Sequence, residues 1–253
     1  MAAAVELLHT ATLVHDDTID RADVRRGTST VNARWDGHIA VLAGDYLFAQ
    51  SAVLAASTGS MRVVQLFART LMTIINGEMQ QQKSSFSWQQ TREEYYERIS
   101  KKTASLFSMA TESGAVLSGA PEPAIQALTG YGYNLGMAFQ IVDDILDFMG
   151  EEREMGKPVG SDLLHGTVTL PAMLYMEVNP EDRSVQQMLE SPGDNGHAKA
   201  AIDAIRNSQA ISESYKIASE FSEEARKSLA GLPASGPLDS LMALAEYTVS
   251  RNH

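Results

Sequence analysis

Apolar residues recur at helical spacing along almost the whole chain. Val5, Leu8, Thr12 and Leu13 fall on neighbouring turns, as do Ile39, Leu42, Tyr46 and Leu47, and later Leu66, Leu71, Ile74 and Ile75. Ala, Leu, Met, Glu and Gln dominate these stretches, and all favour helix. Alternating β-branched segments are hard to find. Punctuation is sparse: Gly27, Gly59, Pro121, Pro158, the Pro192-Gly193 pair and Pro233. Between such breakers the pattern predicts helices of roughly 12 to 30 residues, with no repeat of fixed period. The reading is an all-α bundle with long central helices, a single domain over residues 1–253.

The opening MAAAVELLHTATLV is apolar but has no basic n-region, and Glu6 and His9 interrupt it, so it reads as helix rather than signal peptide. It enters mid-helix, which predicts a bundle lacking its N-terminal helices. No apolar run approaches the roughly 20 residues that span a bilayer.

Composition narrows the function. With 44% hydrophobic and 21% charged residues, the chain has the make-up of a globular protein with a sizeable core. Thirty-two acidic residues against twenty basic ones give a net charge of −12, which argues against a nucleic-acid binder. An acidic ligand remains possible where the few cations converge or where metal ions mediate. There is no cysteine, so disulfides, thiolate metal ligands and thiol nucleophiles are excluded. That usage fits a reducing compartment, and the expected localisation is cytoplasmic.

The chemistry is concentrated in two acidic clusters. In LVHDDTIDRADVRRG, residues 13–27, an apolar run leads into Asp16, Asp17 and Asp20, followed by Arg25 and Arg26. At about 100° per residue, the three aspartates share an arc of roughly 100° on a helix. Like charges so placed repel, and a solvated face would be explanation enough for one such cluster. But QIVDDILDFM repeats the geometry with Asp143, Asp144 and Asp147, again behind an apolar stretch. Buried charges must be paired or metal-bound. All-oxygen ligands select hard cations, and Mg²⁺ favours one or two carboxylates plus substrate phosphates. The pair of clusters therefore points to a diphosphate held through Mg²⁺ between two facing helices. Guanidinium groups match phosphate oxygens, which gives Arg25 and Arg26 a use. Lys101-Lys102-Thr103 on another helix and Lys157 in GKPVGSD are further cations close to the clusters.

HDDTIDRADVRRG, GDYLF, KKTASLF, FQIVDDILD and GKPVGSDLLHGTVTLP, in that order, resemble the all-trans polyprenyl diphosphate synthases over the whole chain. The resemblance implies an isoprenoid-synthase-type helical bundle around a deep central apolar cavity, and a homodimer. It implies head-to-tail addition of isopentenyl diphosphate to an allylic diphosphate, with several Mg²⁺ ions, about three, as cofactor. Asp16, Asp17, Asp20, Asp143, Asp144 and Asp147 would hold the metal, with Asp162 supporting metal-bound water. Arg25, Lys102 and Lys157 would contact the allylic diphosphate, and Arg26 and His9 the isopentenyl diphosphate. Thr103 and Gln140 would stand near the developing carbocation.

The side chains before the first aspartates would line the path of the growing chain. Short-chain relatives commonly have a bulky aromatic there. Here Ala11 and Thr12 are small, and Leu8, one turn further down, narrows the path without plugging it. The expected product is longer than C20, and release of so apolar a product implies transient membrane contact. Two departures qualify the resemblance. The family's upstream G-G-K-R-x-R-P segment, whose Lys and Arg bind isopentenyl diphosphate, has no counterpart, and Thr167 stands where many relatives carry Lys. Weak condensation is expected from these residues alone, with allylic diphosphate and Mg²⁺ still bound. A regulatory subunit of a prenyl synthase is the alternative. A terpene cyclase fits less well, since its second metal motif reads N-D-x-x-S-x-x-x-E rather than DDILD.

Overall fold

A computed structural model describes residues 1–25, 27–150 and 158–251. Helix α1 (Ala2–Ile19) ends in the first aspartate cluster and is followed by a hairpin of β1 (Val24–Arg25) and β2 (Thr28–Ser29), in which Val24 pairs Ser29 and Arg25 pairs Thr28. This two-residue ladder is a turn within an all-α fold. Gly27 has φ +74°, a left-handed turn that glycine adopts without strain.

Short α2 (Val31–Arg34) leads to α3 (Gly37–Ala56) and α4 (Met61–Ser84). Next come α5 (Arg92–Ile99), a π-helical turn (Ser100–Ala104) and α6 (Ser105–Leu117). A reciprocal cap starts α5: the Thr91 hydroxyl accepts from the Glu94 N–H at 3.2 Å, and the Glu94 carboxylate accepts from the Thr91 N–H at 2.8 Å. The long α7 (Glu122–Met149) carries the second cluster. After it come α8 (Ser161–Leu164), α9 (Leu170–Val178), α10 (Ser184–Glu190), α11 (Asn195–Arg206), α12 (Ala210–Ser228) and α13 (Gly236–Ser250).

Helix α7 is the hub, packed against α6, α12, α13 and the π turn. Gly136 makes one of these contacts possible, since a Cβ there would lie 2.6 Å from Ala104 Cα. Three apolar clusters build the core. One, holding Tyr95, Ile141, Ile145 and Phe148, joins α5 and α7 to α9, α11 and α12. Another sets Leu8 of α1 among Ala55, Phe67 and Met109. A third closes α7 against α12 and α13 through Tyr131, Leu135 and Leu229.

Helix α3 departs from its pattern. Its buried residues are the small ones, Ala40, Gly44, Ser51 and Ala55, while Leu42 and Tyr46 are each 64% exposed. The apolar stripe that reads as a core face in sequence points outward, because close approach to α1 requires the small side. By length and composition α3 is apolar enough to cross a membrane, which corrects the expectation that no segment qualifies. Its contacts with α1 and α4 make it a helix of the bundle.

Candidate active site

The first aspartate cluster meets one cationic side chain, Lys102, which lines a cavity together with Asp144 of the second. Helix α4 and the π turn pack closely at Gly77, where a Cβ would lie 2.9 Å from Lys101 Cβ and 3.1 Å from the Lys102 nitrogen. The wider π turn sets Lys102 and Thr103 inward and leaves Lys101 to Glu97 and Gln80. Lys102 Nζ pairs with Glu78 at 2.6 Å. Burial pulls the Lys102 ammonium down, but Asp16, Glu78 and Asp20 together outweigh it and hold the group above its ordinary value. Burial lifts Asp16 to about 6 although Lys102 opposes it, and the negative charges of Glu78 and Asp20 add to the rise. Asp20 is raised by burial as well, with Lys102 and His165 working the other way.

Asp17 turns to a different partner. Its carboxylate accepts from Arg25 Nε at 2.7 Å across the turn between α1 and β1. Arg26 and Lys157 lie outside the described residues. His9 sits on the exposed flank of α1, with its backbone carbonyl accepting from the Thr12 hydroxyl at 2.7 Å.

The second cluster is held more tightly. Asp144 and Asp147 are each only 2% exposed. Thr103 Oγ1 donates to Gln140 Oε1 at 2.6 Å, Gln140 Nε2 donates to Asp144 Oδ1 at 2.8 Å, and Tyr95 OH donates to Asp144 Oδ2 at 2.7 Å. Burial and the like charge of Asp162 raise Asp144 to about 7, against the bonds from Gln140 and Tyr95 and the charge of Arg98. Asp147 Oδ2 accepts the backbone N–H of Asp162 at 3.0 Å. Asp143 faces outward and pairs with Arg251, which also donates to the Phe139 carbonyl at 3.0 Å and lies 4.0 Å over the Phe139 ring. The basic end of the described chain thus closes over the start of the second cluster.

A cavity of about 110 Å³ joins these parts, lined by Gln81, Arg98, Ile99, Lys102, Thr103, Gln140, Asp144, Asp162, Thr167 and Thr169. Gln81 and Arg98 in this lining, with Glu78, Tyr95 and Arg251 beside it, are residues to which the sequence assigned no role. The signal for Tyr95 and Arg98 was their spacing, seven and four residues before Lys102, which places all three on one flank of a helix.

Among the described residues no three carboxylates or histidines form a ready-made metal cage. The donors present are hard oxygens, and two of them are carboxylates whose burial favours protonation unless a cation offsets it. That set fits a divalent ion that completes its shell with ligand oxygens.

The expected chain path is not open beside Ala11 and Leu8. Ala11 and Leu8 have no exposed surface, and Phe67 and Met109 fill the space around Leu8. Flexible side chains such as Met109 adapt to fill a gap that small neighbours leave.

The family model for polyprenyl synthetase matches residues 1–205. The chain belongs to the polyprenyl synthetase family. Its members transfer prenyl groups. A similar relative is heptaprenyl diphosphate synthase component 2 of Geobacillus stearothermophilus, 41% identical over all of this chain and 79% of its own length. Heptaprenyl diphosphate synthase from Staphylococcus aureus superposes with a TM-score of 0.95 at 38% identity, covering 99% of this chain and 79% of that one. A polyprenyl synthase from Caulobacter crescentus, complexed with calcium and isoprenyl diphosphate, gives a TM-score of 0.93 at 36% identity, over 100% of this chain and 78% of that one. The all-α fold is therefore the fold of this family.

Proposed function

We propose that this family member extends an allylic diphosphate with isopentenyl diphosphate, head to tail, to a trans-polyprenyl diphosphate longer than C20, in a reaction that depends on Mg²⁺. The observation that carries the reading is the placement of Lys102. It balances Asp16 and Asp20 on one side and lines the cavity of Asp144 on the other. Cleavage of the allylic C–O bond builds negative charge on the departing diphosphate, and fixed cations in a partly dry site stabilise it as it forms. Lys102 and Arg25 supply that charge from the protein. Bound Mg²⁺ would add Lewis-acid stabilisation of the same oxygens, held by Asp16, Asp20, Asp144 and Asp147. Thr103 and Gln140, locked to each other, present oxygen dipoles to the carbon that becomes cationic. His9, Arg26 and Lys157 keep the diphosphate-binding roles that the resemblance implies, and Asp162 orients water.

Relatives named for heptaprenyl and solanesyl products support the long product, and the calcium-bound Caulobacter structure supports a divalent cation. The exposed apolar stripe of α3, with Met72 and Ile75 of α4, supports a homodimer. The test combines farnesyl diphosphate, labelled isopentenyl diphosphate and Mg²⁺. Polyprenyl products beyond C20 that vanish with EDTA are expected. Failure to bind farnesyl diphosphate in the presence of Mg²⁺, measured by calorimetry, overturns the reading. The relative's name, component 2, favours one second reading, in which this chain works with a different subunit. In that case farnesyl diphosphate binds while elongation is absent from the isolated chain.

A further inference from the structure

Tyr95 is fully buried in α5, whose last residues Arg98 and Ile99 line the cavity, and is not itself among the lining residues. A buried tyrosine hydroxyl needs an acceptor, and a backbone carbonyl serves well. Tyr131, equally buried, donates to the Leu241 carbonyl at 2.8 Å. Tyr95 instead directs its hydroxyl to Asp144 Oδ2 at 2.7 Å, while Gln140 holds Oδ1 at 2.8 Å. The carboxylate is gripped at both oxygens, from two helices. The ring is itself fixed. The Arg98 guanidinium lies 5.4 Å from its centroid, anchored by donation to Gln90 Oε1 and to the Val168 carbonyl, both at 2.6 Å. Arg98 is only 4% exposed, so this anchor is buried.

We infer that Tyr95, braced by Arg98, is a positioning residue that sets the orientation of Asp144 toward a divalent cation, and so tunes the metal affinity of the second cluster. The inference rests on the metal-dependent reading of the site proposed above. Partners that orient a metal-binding carboxylate commonly change metal affinity by about 10- to 100-fold when removed. Tyr95 does not touch substrate in this scheme and acts only through Asp144.

The experiment is a Mn²⁺ titration followed by electron paramagnetic resonance, with farnesyl diphosphate present and isopentenyl diphosphate omitted, so that no turnover is needed. Tyr95→Phe keeps the ring and removes the hydroxyl. Tyr131→Phe makes the same change at a purely structural hydroxyl and serves as the comparison. Tyr95→Phe is expected to raise the Mn²⁺ concentration at half-saturation about tenfold or more, and Tyr131→Phe to leave it within about twofold, even where both melt earlier. Equal half-saturation in wild type and Tyr95→Phe overturns the inference, whatever happens to stability. Should Tyr95→Phe not fold, Arg98→Lys replaces it, with the same direction expected and an unchanged value again overturning the inference. A wild-type protein that binds no Mn²⁺ with farnesyl diphosphate removes the underlying reading and this inference together, an outcome visible before any variant is made.

Discussion

Lys102 Nζ stands 2.6 Å from Glu78 Oε2, and that pair sits against Asp16 and Asp20. One ammonium therefore serves three carboxylates. Removing it leaves them mutually repelling in a partly dry site, while a substrate diphosphate would lose a fixed cation of the cavity. Lys102→Met keeps the length of the stem and deletes the charge. The expected fall in kcat is about 10²- to 10³-fold, the usual loss for one preorganised electrostatic group. Steady-state kinetics at saturating Mg²⁺ would show it, and a loss under threefold would refute the role.

The carboxylates also set a pH response. Asp144 is raised to about 7 and Asp16 to about 6, from an ordinary value of 3.8, in each case chiefly by burial. Between about pH 4 and pH 7 the folded chain then holds protons that the unfolded chain releases, so these groups lower stability as pH rises through that window. In EDTA, the melting temperature is expected to climb as pH falls from 8 towards 6. Asp144→Asn, which is neutral throughout, should flatten the slope and raise the melting temperature at pH 8. An identical slope in the variant would rule out Asp144 as its source. Mg²⁺ requires the ionised form and should itself stabilise most at the higher pH.

Ala11 has 0% exposure on the inner face of α1. Replacing it with Phe adds bulk where the growing chain is expected to pass and where Leu8 already packs against Phe67 and Met109. The product should shorten, as seen by reversed-phase chromatography after dephosphorylation. Overpacking should also cost roughly 1–3 kcal/mol in urea denaturation. A product of unchanged length would show that the chain runs elsewhere.

Gly77 offers a test of the π turn. In an ordinary exposed helix, Gly→Ala is stabilising by up to about 1 kcal/mol. Here the added methyl would lie 2.9 Å from Lys101 Cβ and 3.1 Å from the Lys102 nitrogen, so the neighbouring backbone must shift. Gly77→Ala is expected to reduce activity by displacing Lys102 while leaving the helical circular dichroism signal intact. Wild-type activity would mean that the turn tolerates the shift.

Much of this protein was legible in one dimension. Helix spacing is a local property, so α1, α4 and α7 follow from the apolar period, and carboxylates at i, i+1 and i+4 share a face in any helix. The family motifs add their order, and with it the fold and the prenyl-transfer chemistry. Other features depend on which surfaces meet. Helix α3 hides its small residues rather than its large ones because α1 must come close. The π turn aims Lys102 inward because Gly77 lets α4 approach. Asp143, Asp144 and Asp147 share an arc of one helix yet acquire three different partners, Arg251, Tyr95 with Gln140, and the Asp162 backbone. Sequence spacing sets the direction in which a side chain leaves its helix. What it then touches is decided by the helix packed opposite, which in the case of Tyr95 and Asp144 comes from 49 residues away.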